Sequence, residues 1–174
     1  SPTASRSISD LKKQIAMKHR IIIGLLLLLP LLSQAQSPAM ETFYDRYGAA
    51  EGITSVALER RMMQMMSAQA AQRGDDELAR LLDEIGFIRV LTTTDDTDLA
   101  AEAERTVKAD KHFELLTSTT ADGRTTRVYL REPKLQEDKE LIVITHGEDE
   151  TTVVHIFGSF DVREISRITS IRPR

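Results

Sequence analysis

Histidines near acidic residues offer the most direct route to chemistry in this sequence. His146 precedes the acidic run 148–150, His155 lies inside an apolar run, and His112 follows a lysine. An imidazole beside carboxylates can bind a metal or act as a general base. No two histidines, however, have the H-x3-H or H-E-x-x-H spacing of a metal site, and the acids lack the spacing of an EF-hand loop. We therefore interpret the acidic run as a solvated hairpin turn.

The remaining motifs point away from catalysis. After residue 35 the sequence has no Gly-x-Ser-x-Gly, phosphate-loop, dinucleotide-binding or Ser-x-x-Lys motif. We predict no catalytic residues, no metal ligands and no cofactor. One alternative stays open, a metal-dependent or hydrolytic enzyme in which His146 or His155 meets carboxylates from distant strands in one pocket.

The start of the chain has the pattern of a secretory signal peptide. Met17 is followed by a basic cluster, an uncharged apolar run over 21–32, and small residues at Ser33 and Ala35. This run is shorter than the roughly 20 apolar residues that a membrane span needs. We predict an upstream lead over 1–16, a signal peptide over 17–35 and cleavage after Ala35. The single domain over 36–174 is then periplasmic or secreted, with no stable membrane anchor after cleavage.

Composition narrows the class of partner. Residues 36–174 carry 18 basic and 26 acidic side chains, hence a net charge of −8, which repels the phosphates of nucleic acids. The sequence has no cysteine, which excludes disulfides, thiolate metal sites and a lipid-modified cysteine. We expect no nucleic acid and a protein partner in the envelope. The sequence leaves the oligomeric state open.

Hydrophobic periodicity predicts helices and strands in the order α-β-α-α-β-α-β-β-β-β-α. Ser37 is the predicted N-cap of the first helix, and Gly86 is predicted to end the third. Four late consecutive strands predict an α+β fold, a largely antiparallel sheet of about six strands with helices packed on one face. The helical connections around the first two strands leave room for some parallel pairing. The expected inward stripes are Met40/Phe43/Tyr44/Tyr47, Leu78/Leu81/Leu82/Ile85, Leu99/Ala103/Val107 and Val162/Ile165/Ile168.

Asp122-Gly123 is the most specific local signal. The dipeptide lies between two strand-like runs and predicts a two-residue type I′ hairpin. Opposing residue numbers should then sum to 245, which pairs Thr117 with Val128 and Ser118 with Arg127. The same register, continued outward, pairs Leu115 with Leu130, Leu116 with Tyr129, Glu114 with Arg131 and Phe113 with Glu132.

Four methionines cluster in the second predicted helix. Met62, Met65 and Met66 share one side, which we interpret as its buried side, while Met63 lies off the centre of that stripe. The alternative is an adaptable binding groove, because flexible thioethers suit varied partners. On this interpretation an exposed Met63 would indicate a partner surface.

The same segments carry a resemblance to a known family. The runs 43–47 (Phe-Tyr-Asp-Arg-Tyr), 51–56 (Glu-Gly-Ile-Thr-Ser-Val) and 62–66 (Met-Met-Gln-Met-Met), together with 88–91 and 153–160, resemble the exported family known as domain of unknown function 4252. The resemblance spans about residues 40–170. Many members carry a lipoprotein cysteine after the signal, where this chain has Gln36. The family has no established activity, and its members are often encoded near extracytoplasmic-type sigma factors. The resemblance therefore implies an envelope-stress or regulatory setting and supplies no site residue.

These observations favour an exported, non-catalytic interaction or sensing module of the cell envelope. Such a module should expose an apolar surface near the methionine helix or on a sheet face. The enzyme alternative should instead bring His146 or His155 together with acids in a pocket.

Overall fold

The computed structural model describes residues 36–95, 98–134 and 137–169, and these residues belong to one compact unit. Their elements follow the predicted order of helices and strands. None of the helices in these ranges is long and apolar enough to cross a membrane. The elements are α1 (Pro38–Tyr47), β1 (Thr54–Glu59), α2 (Arg60–Gln72), α3 (Asp76–Glu84), β2 (Ile85–Thr93), α4 (Leu99–Ala109), β3 (Phe113–Ala121), β4 (Arg124–Arg131), β5 (Lys139–His146), β6 (Thr151–Gly158) and α5 (Val162–Thr169).

The strands form one six-stranded sheet in the order β1-β2-β6-β5-β4-β3. Every neighbouring pair is antiparallel, including β1 with β2 and β2 with β6. The α+β fold with an antiparallel sheet is therefore confirmed. The parallel pairing left open for the early strands does not occur, because the helical hairpin α2–α3 returns the chain beside β1 in the opposite direction.

Helices α1 and α4 cover one face of the sheet, which we call the first face. Their stripes, with Met40 on α1 and Leu99 on α4, pack against Leu91, Ile142 and Val153 from three central strands. The predicted stripe of α4 is confirmed, since Leu99, Ala103 and Val107 are all completely buried. This face holds the larger aromatic side chains of α1.

Helices α2, α3 and α5 pack on the opposite, second face. Met63, Leu82 and Ile165 from these helices meet Leu141 and Ile156 of the central strands. Helices thus lie on both faces, whereas the sequence pattern predicted them on one. The reason lies in the nearly continuous apolar runs of β5 and β6, which turn apolar side chains to both faces and require cover on each. Ile168, also predicted to face inward, lies outside the described side chains.

The hairpin at Asp122-Gly123 is confirmed. Both residues have positive φ, 51° and 73°, as a type I′ turn requires. The predicted register holds from the turn to the Thr117–Val128 pair, and a β-bulge then shifts it by one residue. Beyond the bulge Leu115 pairs with Tyr129, and Phe113 with Arg131, so the four outer predicted pairs are wrong. A bulge inserts one residue into one strand, which a uniform sum cannot anticipate.

The buried side of α2 is the opposite of the predicted one. Met63 is 1% exposed, whereas Met62, Met65 and Met66 are 42%, 49% and 39% exposed. Ser67 and Ala70 continue the buried stripe, and the Ser67 hydroxyl donates to the carbonyl of Ala79 at 2.9 Å. Small residues at these positions let α2 approach α3 closely, which decides the side that turns inward.

The junction of α3 and β2 also differs from the prediction. The helix ends at Glu84, so Ile85 and Gly86 belong to the strand and Leu78 is 39% exposed. Gly86 does not end a helix. A Cβ there would lie 3.1 Å from the ring of Phe157, which packs beside it. Gly158 is also needed at this junction, since a Cβ on it would lie 2.1 Å from the carbonyl oxygen of Glu84.

Candidate functional site

The three histidines of the domain lie apart, each with its own partner. His112 contacts Asp110 through Nδ1 at 2.8 Å, and His146 contacts the Thr151 hydroxyl at 2.8 Å. Thr151 is paired with His146, and His155 lies four residues farther along β6, about 13 Å at 3.3 Å per residue. His146 and His155 therefore lie in separate places, and each of them has its own neighbouring carboxylates.

His155 belongs instead to a buried ionic network on the first face. Its Nε2 lies 3.0 Å from Oε2 of Glu140, and both side chains are completely buried. Oε1 of Glu140 accepts from Nη1 of Arg131 at 2.9 Å and from the main-chain N–H of Ser37 at 2.5 Å. Arg131 and Glu140 are direct partners in the β4–β5 register, which places the ion pair between adjacent strands.

The network continues outward from Arg131 to Asp110 at the end of α4. Nε of Arg131 lies 3.6 Å from Oδ2 of Asp110, which also accepts from the Ser37 hydroxyl at 3.1 Å. Ser37 stands at the predicted N-cap position, but its side chain makes no cap bond and binds Asp110 instead. Partial burial raises the pKa of Asp110, but hydrogen bonds from His112 and Ser37, with the charge of Arg131, outweigh it and lower the pKa below its usual value.

Aromatic rings seal the inner end of this network. Tyr44 and Phe87 pack against the ring of His155, with centroids 5.4 and 5.0 Å away. The Tyr44 hydroxyl donates to the carbonyl of Val153 at 3.3 Å, and burial raises the pKa of Tyr44, which keeps the phenol neutral. Nδ1 of His155 has no hydrogen-bond partner among the described residues. Glu140 and His155 are completely buried, so the inner part of the network fits a structural role.

Sequence reasoning missed Arg131 and Glu140 as partners. The alternation of β5 did contain a signal, since Glu140 shares an inward face with Ile142 and Ile144. A charged residue at an inward strand position needs a buried partner of opposite charge.

His146 and the acidic loop after it line an open cavity of about 360 Å³, together with Thr94 and Asp95 just after β2, so this histidine does share a pocket with carboxylates, one of them from a distant part of the chain. Within the described ranges no group of three or more His, Asp or Glu side chains is placed to hold a metal ion. The His146 ring bonds to Thr151 within its own hairpin.

The second face carries a different feature, two rows of uncharged side chains across all six strands. We call them the valine row and the threonine row, and together the uncharged face. Pairing runs Val56–Val90–Val154–Val143–Val128–Thr117 in the first and Thr54–Thr92–Thr152–Thr145–Thr126–Thr119 in the second.

Both rows are at least partly exposed, most of all on the two edge strands. None of the twelve residues is fully buried, and Val56 on the edge strand is 46% exposed. The valine row borders the core under α2, α3 and α5, and the threonine row lies beyond it. Hydroxyl pairs link threonines across strands, as between Thr126 and Thr145 at 3.1 Å. The corresponding row on the first face contains Leu91, Val153 and Ile144, each at most 2% exposed.

Comparison with known proteins identifies the family. No curated protein matches the chain. The family model described as domain of unknown function (DUF4252) matches residues 44–168, well over half of the sequence and all but the first turns of the described fold. The chain therefore belongs to the DUF4252 family, as its aromatic helix, first strand and methionine helix had indicated.

Proposed function

We propose that this protein is an exported, non-catalytic interaction or sensing module of the cell envelope, and that it binds a protein partner through the uncharged face. The observation that carries the proposal is the absence of any charge among the twelve residues of the two rows, in a chain with 29% charged residues. Exposed apolar patches larger than a few hundred Å², particularly those rimmed by polar residues, are typical of interaction sites.

The size and chemistry of the uncharged face indicate the kind of partner. Six strands about 4.8 Å apart and two rows about 7 Å apart give an area of roughly 400 Å². A stable interface of standard size needs about 800 Å² per partner, so this face suits a transient contact with one apolar segment. Threonine hydroxyls at its border can both donate and accept hydrogen bonds to that segment.

The exposed methionines of α2 also favour the second face as the side that binds the partner. Met62, Met65 and Met66 project from α2, which packs on the second face. Thioether side chains adapt to partners of varied shape, and after Arg61 the helix α2 contains no charged residue that would oppose an apolar contact.

Neighbouring residues on β4 provide a matched test of the binding face. Thr126 lies in the threonine row, while Thr125 points to the first face; both are half-buried, and each bonds to a threonine on an adjacent strand. A small photo-crosslinking amino acid at position 126 should capture an envelope protein that position 125 does not. With the crosslinker at position 126, Thr119→Lys in the same row should abolish that capture, and Thr120→Lys on the other face of β3 should leave it unchanged. Equal capture from both positions, or from neither, would contradict the proposal.

Export is tested separately, because its signals lie outside the described residues. The proposal expects the protein in the periplasm or medium, with Gln36 as its first residue after cleavage at Ala35. Cell fractionation followed by N-terminal sequencing measures both. A protein that stays in the cytoplasm with residues 17–35 attached would contradict it.

A further inference from the structure

We propose that the buried ionic network of the first face is a binding site for one ammonium group, the α-ammonium that cleavage after Ala35 would create on Gln36. The inference rests on the proposed export and adds a consequence to it, namely that processing stabilises the folded domain. The precursor, with an uncharged peptide group at this position, would be the less stable form.

The first step is the charge of the network. Glu140 and Asp110 contribute two carboxylates, and Arg131 contributes one guanidinium. Among these three side chains the carboxylates outnumber the guanidinium by one, which gives them a formal excess of one negative charge. Glu140 is completely buried and the Asp110 side chain is 15% exposed, so solvent screens this excess only in part.

The second step is the position of the chain start relative to both carboxylates. Ser37 binds them simultaneously, with its main-chain N–H on Glu140 at 2.5 Å and its hydroxyl on Asp110 at 3.1 Å. Gln36 is one residue away, and consecutive Cα atoms lie 3.8 Å apart. An α-ammonium on Gln36 would therefore lie within a few ångströms of the excess charge.

One interaction opposes this arrangement. Helix α1 begins at Pro38, and the positive end of a helix, equivalent to about half an elementary charge, disfavours a nearby cation. The excess charge of the network is a full elementary charge in a less exposed position, so the attraction outweighs the repulsion.

The test compares two forms of residues 36–174, a range that contains every described element of the fold. One form begins at residue 36, released from a fusion by a protease that leaves no extra residue. The other carries four additional Gly and Ser residues, which move the ammonium away. Both carry Gln36→Ala, because an N-terminal glutamine can cyclise with loss of ammonia and thereby lose its charge.

We expect the form that begins at residue 36 to unfold about 3 °C higher, or more, at low ionic strength near pH 7. The difference should shrink by at least half in Glu140→Gln. Because that variant could fail to fold, Asp110→Asn, which changes a less buried carboxylate, serves as the second variant and should also reduce the difference. Thermal unfolding followed by circular dichroism measures each value.

Equal unfolding temperatures for the two forms would overturn the proposal. So would a difference that persists undiminished in the folded carboxylate variants, since the stabilisation would then come from elsewhere. A first residue other than Gln36 in the exported protein would overturn the processing step alone. The two failures are therefore distinguishable.

Discussion

The two faces of the sheet differ in both charge and exposure. The first face contains charged side chains that are buried, and the second has uncharged rows that are partly exposed. The first face holds Arg131, Glu140 and His155 in a sealed network under α1 and α4. The valine row and the threonine row of the second face carry no charge and are partly exposed to solvent. The charged side chains of the first face are thus buried, whereas the accessible rows of the second face consist of valine and threonine.

The ionic network determines which helices and strands pack together, and it contributes little to net stability. A buried ion pair roughly offsets the cost of removing both charges from water, so its presence alone is weak evidence of stabilisation. Glu140 nevertheless joins β4, β5, β6 and the residue before α1 through three partners. Misplacing any of these elements would leave a buried charge without its partner, which penalises alternative registers.

Removing one charge from the network should have the largest effect. We expect Glu140→Ala to lower the free energy of unfolding by about 3–5 kcal/mol, because Arg131 would stay buried without this carboxylate. The control is Glu132→Ala, which breaks the exposed contact with Lys139 at 3.0 Å and should cost about 1 kcal/mol or less. Denaturant unfolding measures both. Similar losses for the two variants would contradict the difference in burial on which the comparison depends.

Adjacent valines on β6 test the faces with identical chemistry. Val153 is completely buried on the first face, and Val154 lies in the partly exposed valine row. We expect Val153→Ala to cost about 2–3 kcal/mol, since it removes two buried methyl groups and leaves a cavity. Val154→Ala should cost roughly 1 kcal/mol. If Val154→Ala proved as costly as Val153→Ala in urea titrations, the second face would be a closed core and the proposed binding face would be lost.

Local periodicity predicted much of the fold because, in several segments, a single local pattern determines the structure. The stripe Leu99/Ala103/Val107 has a single apolar side, and Asp122-Gly123 permits few turn types. The prediction for α2 was wrong because four methionines in five consecutive positions are compatible with either side of the helix being buried. Its orientation depends on the close approach of Ser67 to α3, a tertiary contact.

The network could not be read from spacing because the β4–β5 register creates it. Arg131 and Glu140 meet as cross-strand partners. The predicted register instead assigned Arg131 to Glu114, and the bulge in β3 removes that pairing. The uncharged face has the same origin, since the valines and threonines align only once all six strands are in order. Ser37 shows the limit of a local rule, because a distant carboxylate binds the hydroxyl that would have capped α1.

The smallest expected effect is a pH dependence of the folding stability that comes from the first face. The two rows of the second face contain no ionisable group and should not contribute to it. The folded-state pKa of Asp110 lies below the unfolded value of about 3.9, so its stabilisation is complete above that value and is lost as pH falls through the folded pKa. We expect Asp110→Asn to cost about 1 kcal/mol at pH 6 and progressively less toward pH 2. Asp122→Asn, in the exposed turn, is the control and should leave the profile of the parent protein unchanged. If Asp110→Asn lost the same stability at pH 2 as at pH 6, the contribution of Asp110 would be steric, and the charge count used for the network would need revision.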